Sequence, residues 1–440
     1  MARELASWGR YPYAPQQLHP CIWRDELPPL LQRLATNTAG TLPYGNGRSY
    51  GDSCLAVSGE LLQTRQLDRL LAADWERGLI RAEAGVILAE LLAVAIPRGW
   101  FLPVTPGTQF VTLGGAVAND VHGKNHHVRG TFGNHVHRFS LVRSDQAAPL
   151  ECSAAENPEL FHASIGGLGL TGVIAWVELQ LMPITSSRID SLTVRFDSLG
   201  EFFRLSDEFD KTHEYTVAWI DCLAKGSAAG RGVFSVGNHA RQGALEVDGQ
   251  TRLSVPLTPP VTLINSLSLC LFNNAYYHLH KPGRHAAQGS YAPFFYPLDS
   301  ILHWNRIYGR KGFQQYQCVI PDAVAEPAMT DMLAAIAASG SGSFLAVMKR
   351  CGDVPSPGLM SFPMPGVSLA LDFPQQQRLD SGLFRRLDQI VRTAGGRLYP
   401  AKDAHMSGED FRTFYPAWQQ VEALRDPPLL SLFWKRVTQA

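Results

Sequence analysis

From Pro106 to Val136 the chain reads PGTQFVTLGGAVANDVHGKNHHVRGTFGNHV, six glycines and four histidines around the apolar run Val111–Ala118. Gly114 and Gly115 let backbone approach a flat or phosphorylated group closely. His122, Lys124, Asn125, His126 and His127 follow at once with donors, acceptors and charge. A connecting loop rarely combines the two features; a cofactor cradle needs both. A second glycine-rich stretch, PYGNGRSYGDS, runs from Pro43 to Ser53. Gly45, Gly47 and Gly51 allow several amides to turn toward one anion, and Arg48 adds a fixed charge for a phosphate. Alone, that stretch reads equally well as a surface turn. Paired with residues 106–136, it reads as the other wall of the cradle.

Two motifs point elsewhere and are set aside. GLGLTG, Gly167–Gly172, matches the dinucleotide expression GxGxxG, but a β-branched strand and not a helix follows it, so a nicotinamide site is not expected. His122, His126, His127, His135 and His137 invite a metal reading. Cysteine or carboxylate ligands at closed spacing are missing nearby, Asp120 apart, so no metal is expected.

Elements must position these groups. Helical spacing is expected over Pro28–Leu34, Val86–Ile96, Leu160–Ser164, Leu199–Lys211, Pro327–Ala338 and Ser381–Ala394. Strands are expected over Val173–Leu181, Leu192–Phe196, Thr216–Asp221, Gly232–Gly237, Gln315–Ile320, Ser343–Lys349 and Gly366–Phe373. Pro256–Ala292, rich in proline, asparagine and aromatics, reads as an irregular, mobile lid. Pro183 and Ser186–Arg188 mark a boundary, which divides the chain into residues 1–187, 188–397 and a C-terminal return over 398–440. At 440 residues, two domains are expected.

Composition excludes several classes. Lys plus Arg and Asp plus Glu both number 39, without a polybasic run, so nucleic acid is not an expected partner. The seven scattered cysteines form no CxxC pair and point to a reducing compartment. The first residues lack the apolar core of a secretory signal, and no run reaches the ~18 apolar residues of a membrane span. Val261–Phe272 comes nearest; it reads as a core helix or, alternatively, as a lid that touches a membrane. The expected location is cytoplasmic or peripheral to an inner membrane.

The motifs together resemble the FAD oxidoreductases of the vanillyl-alcohol-oxidase (PCMH-type) superfamily, and within it the branch that oxidises polyprenyl-phosphoryl ribose. WGRYP at 8–12, GNGRSYGD at 45–52, PGTQFVTLGGAVANDVHGKNHH at 106–127 and GTFGNHV at 130–136 carry the likeness. So do GLGLTGVI at 167–174, FFYPLD at 294–299, WNRIYG at 304–309, QYQCVIP at 315–321, SFPMPG at 361–366, LDFP at 371–374 and GGRLYPAKD at 395–403. The resemblance implies an α+β, two-domain fold whose substrate domain is built on a large antiparallel sheet. It implies FAD, held non-covalently, by Pro43, Tyr44, Gly45, Asn46, Gly47, Arg48, Ser49, Tyr50, Gly51, Asp52 and Ser53. Gly107, Thr112, Leu113, Gly114, Gly115, Asn119, Asp120, Val121, His122, Ile174 and Tyr399 complete that implied set.

Catalysis is implied for Lys402, His122 and Tyr50, with Lys124, Tyr316, Lys349, Ala370 and Asp372 lining the substrate pocket. Without the resemblance, Lys402 reads as a surface lysine beside Asp403. One member of the family has a cysteine where Ala370 stands, so agents that trap that cysteine should fail here. The tail Leu429–Val437 departs from the family pattern. The implied reaction is hydride transfer from a sugar secondary alcohol to flavin N5, at C2 of a lipid-linked pentose, as the first half of an epimerisation completed by a short-chain reductase. A soluble sugar, alditol or aldonolactone oxidase is the alternative; a flavin-fold binding protein without turnover is a third reading.

Overall fold

The computed structural model describes residues 6–37, 40–249, 253–376 and 379–439. Its architecture is mixed α and β, with two main sheets of unequal size. The smaller has five antiparallel strands, in the order Leu70–Asp74, Leu79–Glu83, Val173–Gln180, Val136–Val142 and Leu150–Ser153. Val173–Gln180 lies at its centre and is buried at all but its last residue, so alternation in its sequence is weak. The Leu88–Ala95 helix buries Leu88, Leu91, Leu92 and Ala95, one stripe at helical spacing, against this layer. A separate sheet of three parallel strands, Gln17–Pro20, Glu60–Gln63 and Leu42–Tyr44, delivers the chain into the Pro43–Ser53 loop.

The larger sheet has eight antiparallel strands, in the order Arg284–Gly289, Ile189–Phe196, Gly232–His239, Tyr215–Ile220, Ala346–Cys351, Gly366–Pro374, Phe313–Pro321 and Arg397–Leu398. Helices Leu199–Phe209, Ala325–Ser339 and Arg385–Thr393 cover one face. There Phe202, Met329, Met332 and Val391 pack against Phe234, Cys318, Met348 and Leu369. Successive side chains of a strand point to opposite faces, so the residues between those core positions are presented on the other face, toward the glycine-rich loops.

Two regions differ from expectation. Residues 256–292 are not an irregular lid: Ser266–Leu279 is a helix and Arg284–Gly289 an edge strand. Asn265 caps the helix, its side chain accepting from the amides of Leu267 and Ser268, while Ser268 Oγ accepts from the Asn265 amide. Only Leu269, Asn273 and Tyr277 of this helix are buried. The tail docks firmly: Leu432–Thr438 is a helix whose Phe433, Trp434 and Val437 are buried. Leu430 and Leu432 donate backbone bonds to Thr41 and Leu55.

Candidate active site

The cleft between the two sheets is walled by loops on one side and strands on the other. Pro43, Tyr44, Gly45, Asn46, Gly47, Arg48, Ser49, Tyr50 and Ser53 line it, with Gly107, Thr112, Gly114, Gly115, Asn119, Val121, His122, Ile174 and Tyr399. The loop bends through Gly47 at φ +60°, and among the described residues the amides of Asn46, Gly47, Arg48 and Ser49 donate to no other group. Such a run of open amides fits a diphosphate. Gly114 and Gly115 serve otherwise. Their amides are taken by Ala84 O and Thr112 Oγ1, and a Cβ on Gly114 would stand 2.9 Å from that of Ala84. Their contribution is thinness. The GLGLTG turn lines the same cleft with Leu168, Gly169 and Gly172, then runs directly into the Val173–Gln180 strand.

The facing wall is side-chain chemistry set by register. Gln315 pairs with Asp372, Gln317 with Ala370, Ala370 with Val347, and Ser368 with Lys349. Gln315, Gln317, Val347, Lys349, Ser368 and Ala370 line the cleft. Asp372, fully buried just behind, takes a hydrogen bond on Oδ1 from Gln315 Nε2 at 2.6 Å, while its Oδ2 has no partner. Burial pushes its carboxyl up to about 7.

Lys402 enters from the Tyr399–Asp403 turn. Its ammonium lies 3.7 Å from the centroid of the Tyr50 ring, a cation–π contact. Burial lowers Lys402 to about 7, and the charge of Asp372 opposes that fall. Tyr50 is raised, burial first and Asp372 second. Lys349 donates to His122 Nδ1 at 2.7 Å and to the Gly123 carbonyl at 2.6 Å, and burial lowers it to about 8. His122 is held well below its usual range by burial and then by Lys349, so its imidazole is neutral. With Nδ1 accepting, the ring hydrogen sits on Nε2, and the Gln317 side-chain amide 3.2 Å away accepts it when turned to present its oxygen.

Several expected site residues lie elsewhere, each for a physical reason. Tyr316 does not line the pocket: it points to the helix-covered face, its hydroxyl on Asp388 at 3.0 Å and its ring stacked on His405. Its strand neighbours Gln315 and Gln317 take the cleft instead. Lys124 stands behind the wall, bonded to the Phe294 carbonyl and over the Phe294 ring. Asp52 is paired with Arg436 of the tail helix. Asp120 accepts from the Gly133 amide and the hydroxyls of Ser356 and Ser361. Leu113 belongs to the apolar core. Gly51 is a joint between segments: a Cβ there would come within 1.6 Å of the Asp403 carbonyl oxygen. Arg436 also holds Asp403 at 2.9 Å, so the loop and the Lys402 turn are clamped by the tail.

The sequence reading missed Gln315, Gln317, Ser368 and Val347. The polar–aromatic–polar alternation in QYQ was the available signal. It also missed Trp8, Asp299 and Trp304, which line the cleft as well. Of the other histidines of the 122–137 stretch, His127 bonds to the His213 carbonyl and His135 to the Arg129 carbonyl, which are structural contacts. Among the described residues, no helix is long and apolar enough to cross a membrane.

The family model of an FAD binding domain matches residues 24–148, the stretch that supplies most of the loop wall. The chain is 33% identical to decaprenylphosphoryl-beta-D-ribose oxidase of Mycolicibacterium smegmatis over 97% of its own length and 95% of that protein. It is 29% identical to L-gulonolactone oxidase of Mus musculus over 38% of each chain.

Proposed function

The chain belongs to the family of FAD-dependent oxidoreductases that includes decaprenylphosphoryl-beta-D-ribose oxidase, and from that premise we propose that it oxidises the C2 carbinol of a polyprenyl-phosphoryl pentose to the ketone. The observation that carries the reading is the continuity of one cleft from the open amides of residues 46–49 to Lys402, Lys349 and Gln317. A sugar seated there meets hydrogen-bond donors and acceptors on one side and the cofactor on the other. When bound, the flavin supplies the hydride acceptor, N5 of its ring. Lys402, lowered to about 7 and so partly in its base form near pH 7, accepts the hydroxyl proton as the carbon loses its hydride. The ammonium so formed is favoured by the Tyr50 ring and by the charge of Asp372. His122 and Gln317 orient the sugar oxygens, and Lys349 fixes the His122 tautomer.

The cofactor is held without a covalent bond. Cys54, the nearest thiol to the loop, is pushed up to about 12 by burial and by Asp52, and is a poor nucleophile. A prenyl chain has a place to lie. Leu257, Val261, Leu263, Leu267 and Leu271 are 57–78% exposed. Their segment packs on 304–309, where Leu263 bonds to Ile307 and Gly309 abuts Val261, and Trp304 of that turn lines the cleft. Each buried CH₂ contributes roughly 0.8 kcal/mol, so this surface favours a lipid-linked sugar and peripheral contact with a membrane. The keto sugar would pass to a short-chain reductase that returns hydride to the opposite face.

The test is anaerobic mixing of holoenzyme with a prenyl-phosphoryl pentose, the free pentose and an aldonolactone, following loss of flavin absorbance. Far faster bleaching by the lipid-linked sugar is expected. Equal efficiency with the free sugar favours a soluble sugar oxidase, and no bleaching by any alcohol favours a protein without turnover.

A further inference from the structure

Arg48 sits among the open amides of the loop, yet its side chain leaves them. The guanidinium lies 4.1 Å from the Trp8 ring centroid and 5.2 Å from that of Phe110. Its Nε is buried without a hydrogen-bond partner. Stacking occupies the face of the fork and leaves its donor edge for a ligand. Arg48 lines the cleft together with Trp8, Tyr50, Asp299 and Lys402. Arg48 and Lys402 both act on Tyr50: Lys402 covers its ring, and the charge of Arg48 reaches its hydroxyl. One oxygen of Asp299 is held by the Gln109 amide at 2.8 Å, so this carboxylate is a fixed counter-charge that tempers Arg48.

A charge pinned by an indole beside the reacting end has one evident use. In the substrate of the proposed function, on which this inference rests, the carbon next to the reacting carbinol carries the phosphoryl group. We propose that Arg48 recognises that substrate phosphate, and that it is not a ligand of the cofactor's diphosphate, which the loop amides serve. The planar fork suits bidentate phosphate binding, and stacking on Trp8 limits its freedom. Arg48 is then the residue that separates a sugar phosphodiester from a neutral glycoside of the same lipid.

The test compares wild-type and Arg48→Met holoenzymes on farnesyl-phosphoryl ribose and on the farnesyl riboside lacking the phosphoryl group, read as anaerobic flavin bleaching. Cofactor affinity is read from the fluorescence of released FAD. Wild type is expected to prefer the phosphorylated sugar, and Arg48→Met to shrink that ratio by at least about 30-fold with FAD affinity kept. Arg48→Lys, a point charge without the fork, should restore part of the ratio. A variant that keeps the wild-type ratio overturns the proposal. So does one that loses FAD and slows on both sugars together, which would make Arg48 a cofactor ligand. A wild type without preference for the phosphorylated sugar overturns the proposed function itself, a result distinct from the other two.

Discussion

The two walls of the cleft work by different means. The loop wall, residues 43–53 with 106–122, offers backbone: open amides at 46–49 and glycines that keep the surface thin. The sheet wall offers side chains from three neighbouring strands, matched by register into rows. Backbone recognition needs consecutive residues of special type, so it is written as contiguous motifs. Side-chain recognition from a sheet needs every second residue of strands far apart in sequence, so no contiguous motif records it. The comparison also separates two kinds of failure. Damage to the loop wall should remove the cofactor, and damage to the side-chain wall should remove the chemistry.

The sharpest way to break that comparison is Lys402→Ala. It should keep FAD and slow flavin reduction by on the order of 100-fold or more, measured by anaerobic stopped flow. Lys402→Arg should recover little, because the guanidinium is longer and planar. Reduction within a few-fold of wild type would show that the side-chain wall does not carry the chemistry. The same lysine predicts a pH dependence. With Lys402 lowered to about 7, the base form gains population as pH rises through 7. The efficiency of reduction should therefore climb across that range and level above it, and the limb should vanish in Lys402→Ala. A fall through pH 7 would assign the work to the ammonium.

In the loop wall two glycines should part company. Gly51→Ala drives a Cβ to within 1.6 Å of the Asp403 carbonyl, so the loop and the Lys402 turn must separate, at about 3 kcal/mol of stability by thermal unfolding. Gly107 lines the cleft, and a Cβ there meets nothing within 4 Å. Gly107→Ala should leave the apoprotein melting point alone and weaken FAD by about tenfold in a titration. If both variants unfold alike, Gly107 is structural and the loop wall is not a separate binding surface.

How much was legible follows from the same contrast. The glycine-rich stretches, the strand after GLGLTG and the Leu88–Ala95 stripe announce themselves locally. The single-residue slip at Tyr316 shows the limit for strands: the strand was evident, but which of Gln315 and Tyr316 faces the ligand depends on the helices behind it. A helix was legible in Val261–Phe272, but its extent, Ser266–Leu279, and its largely exposed placement were not: its exposed positions are as apolar as its buried ones, which erases the period, although NSLS spelled its cap. Asp52 and Asp120 looked like ligands because they sit inside motifs. Their partners Arg436, Ser356 and Ser361 come from distant sequence that no local reading joins to them.

The smallest expected effect concerns the link between the walls. His122 belongs to the loop stretch by sequence, but Lys349 of the sheet holds its Nδ1, and the Gln317 side-chain amide lies against its Nε2. Lys349→Gln removes a positive charge that helps keep the imidazole neutral, the second cause after burial. The His122 pKa should rise while staying below its ordinary value, since burial still disfavours the charged ring. Lys349→Met removes the donor as well, and frees the ring to exchange tautomers. A positioning role predicts a fall in kcat of about tenfold with little change in KM for Lys349→Met, and a milder one for Lys349→Gln, whose amide can still donate to Nδ1. The ring nitrogen shifts of His122, followed by NMR across pH, supply a readout that simple loss of packing would not move. Unchanged shifts in both variants would leave Lys349 as a filler of the sheet wall and make His122 independent of it.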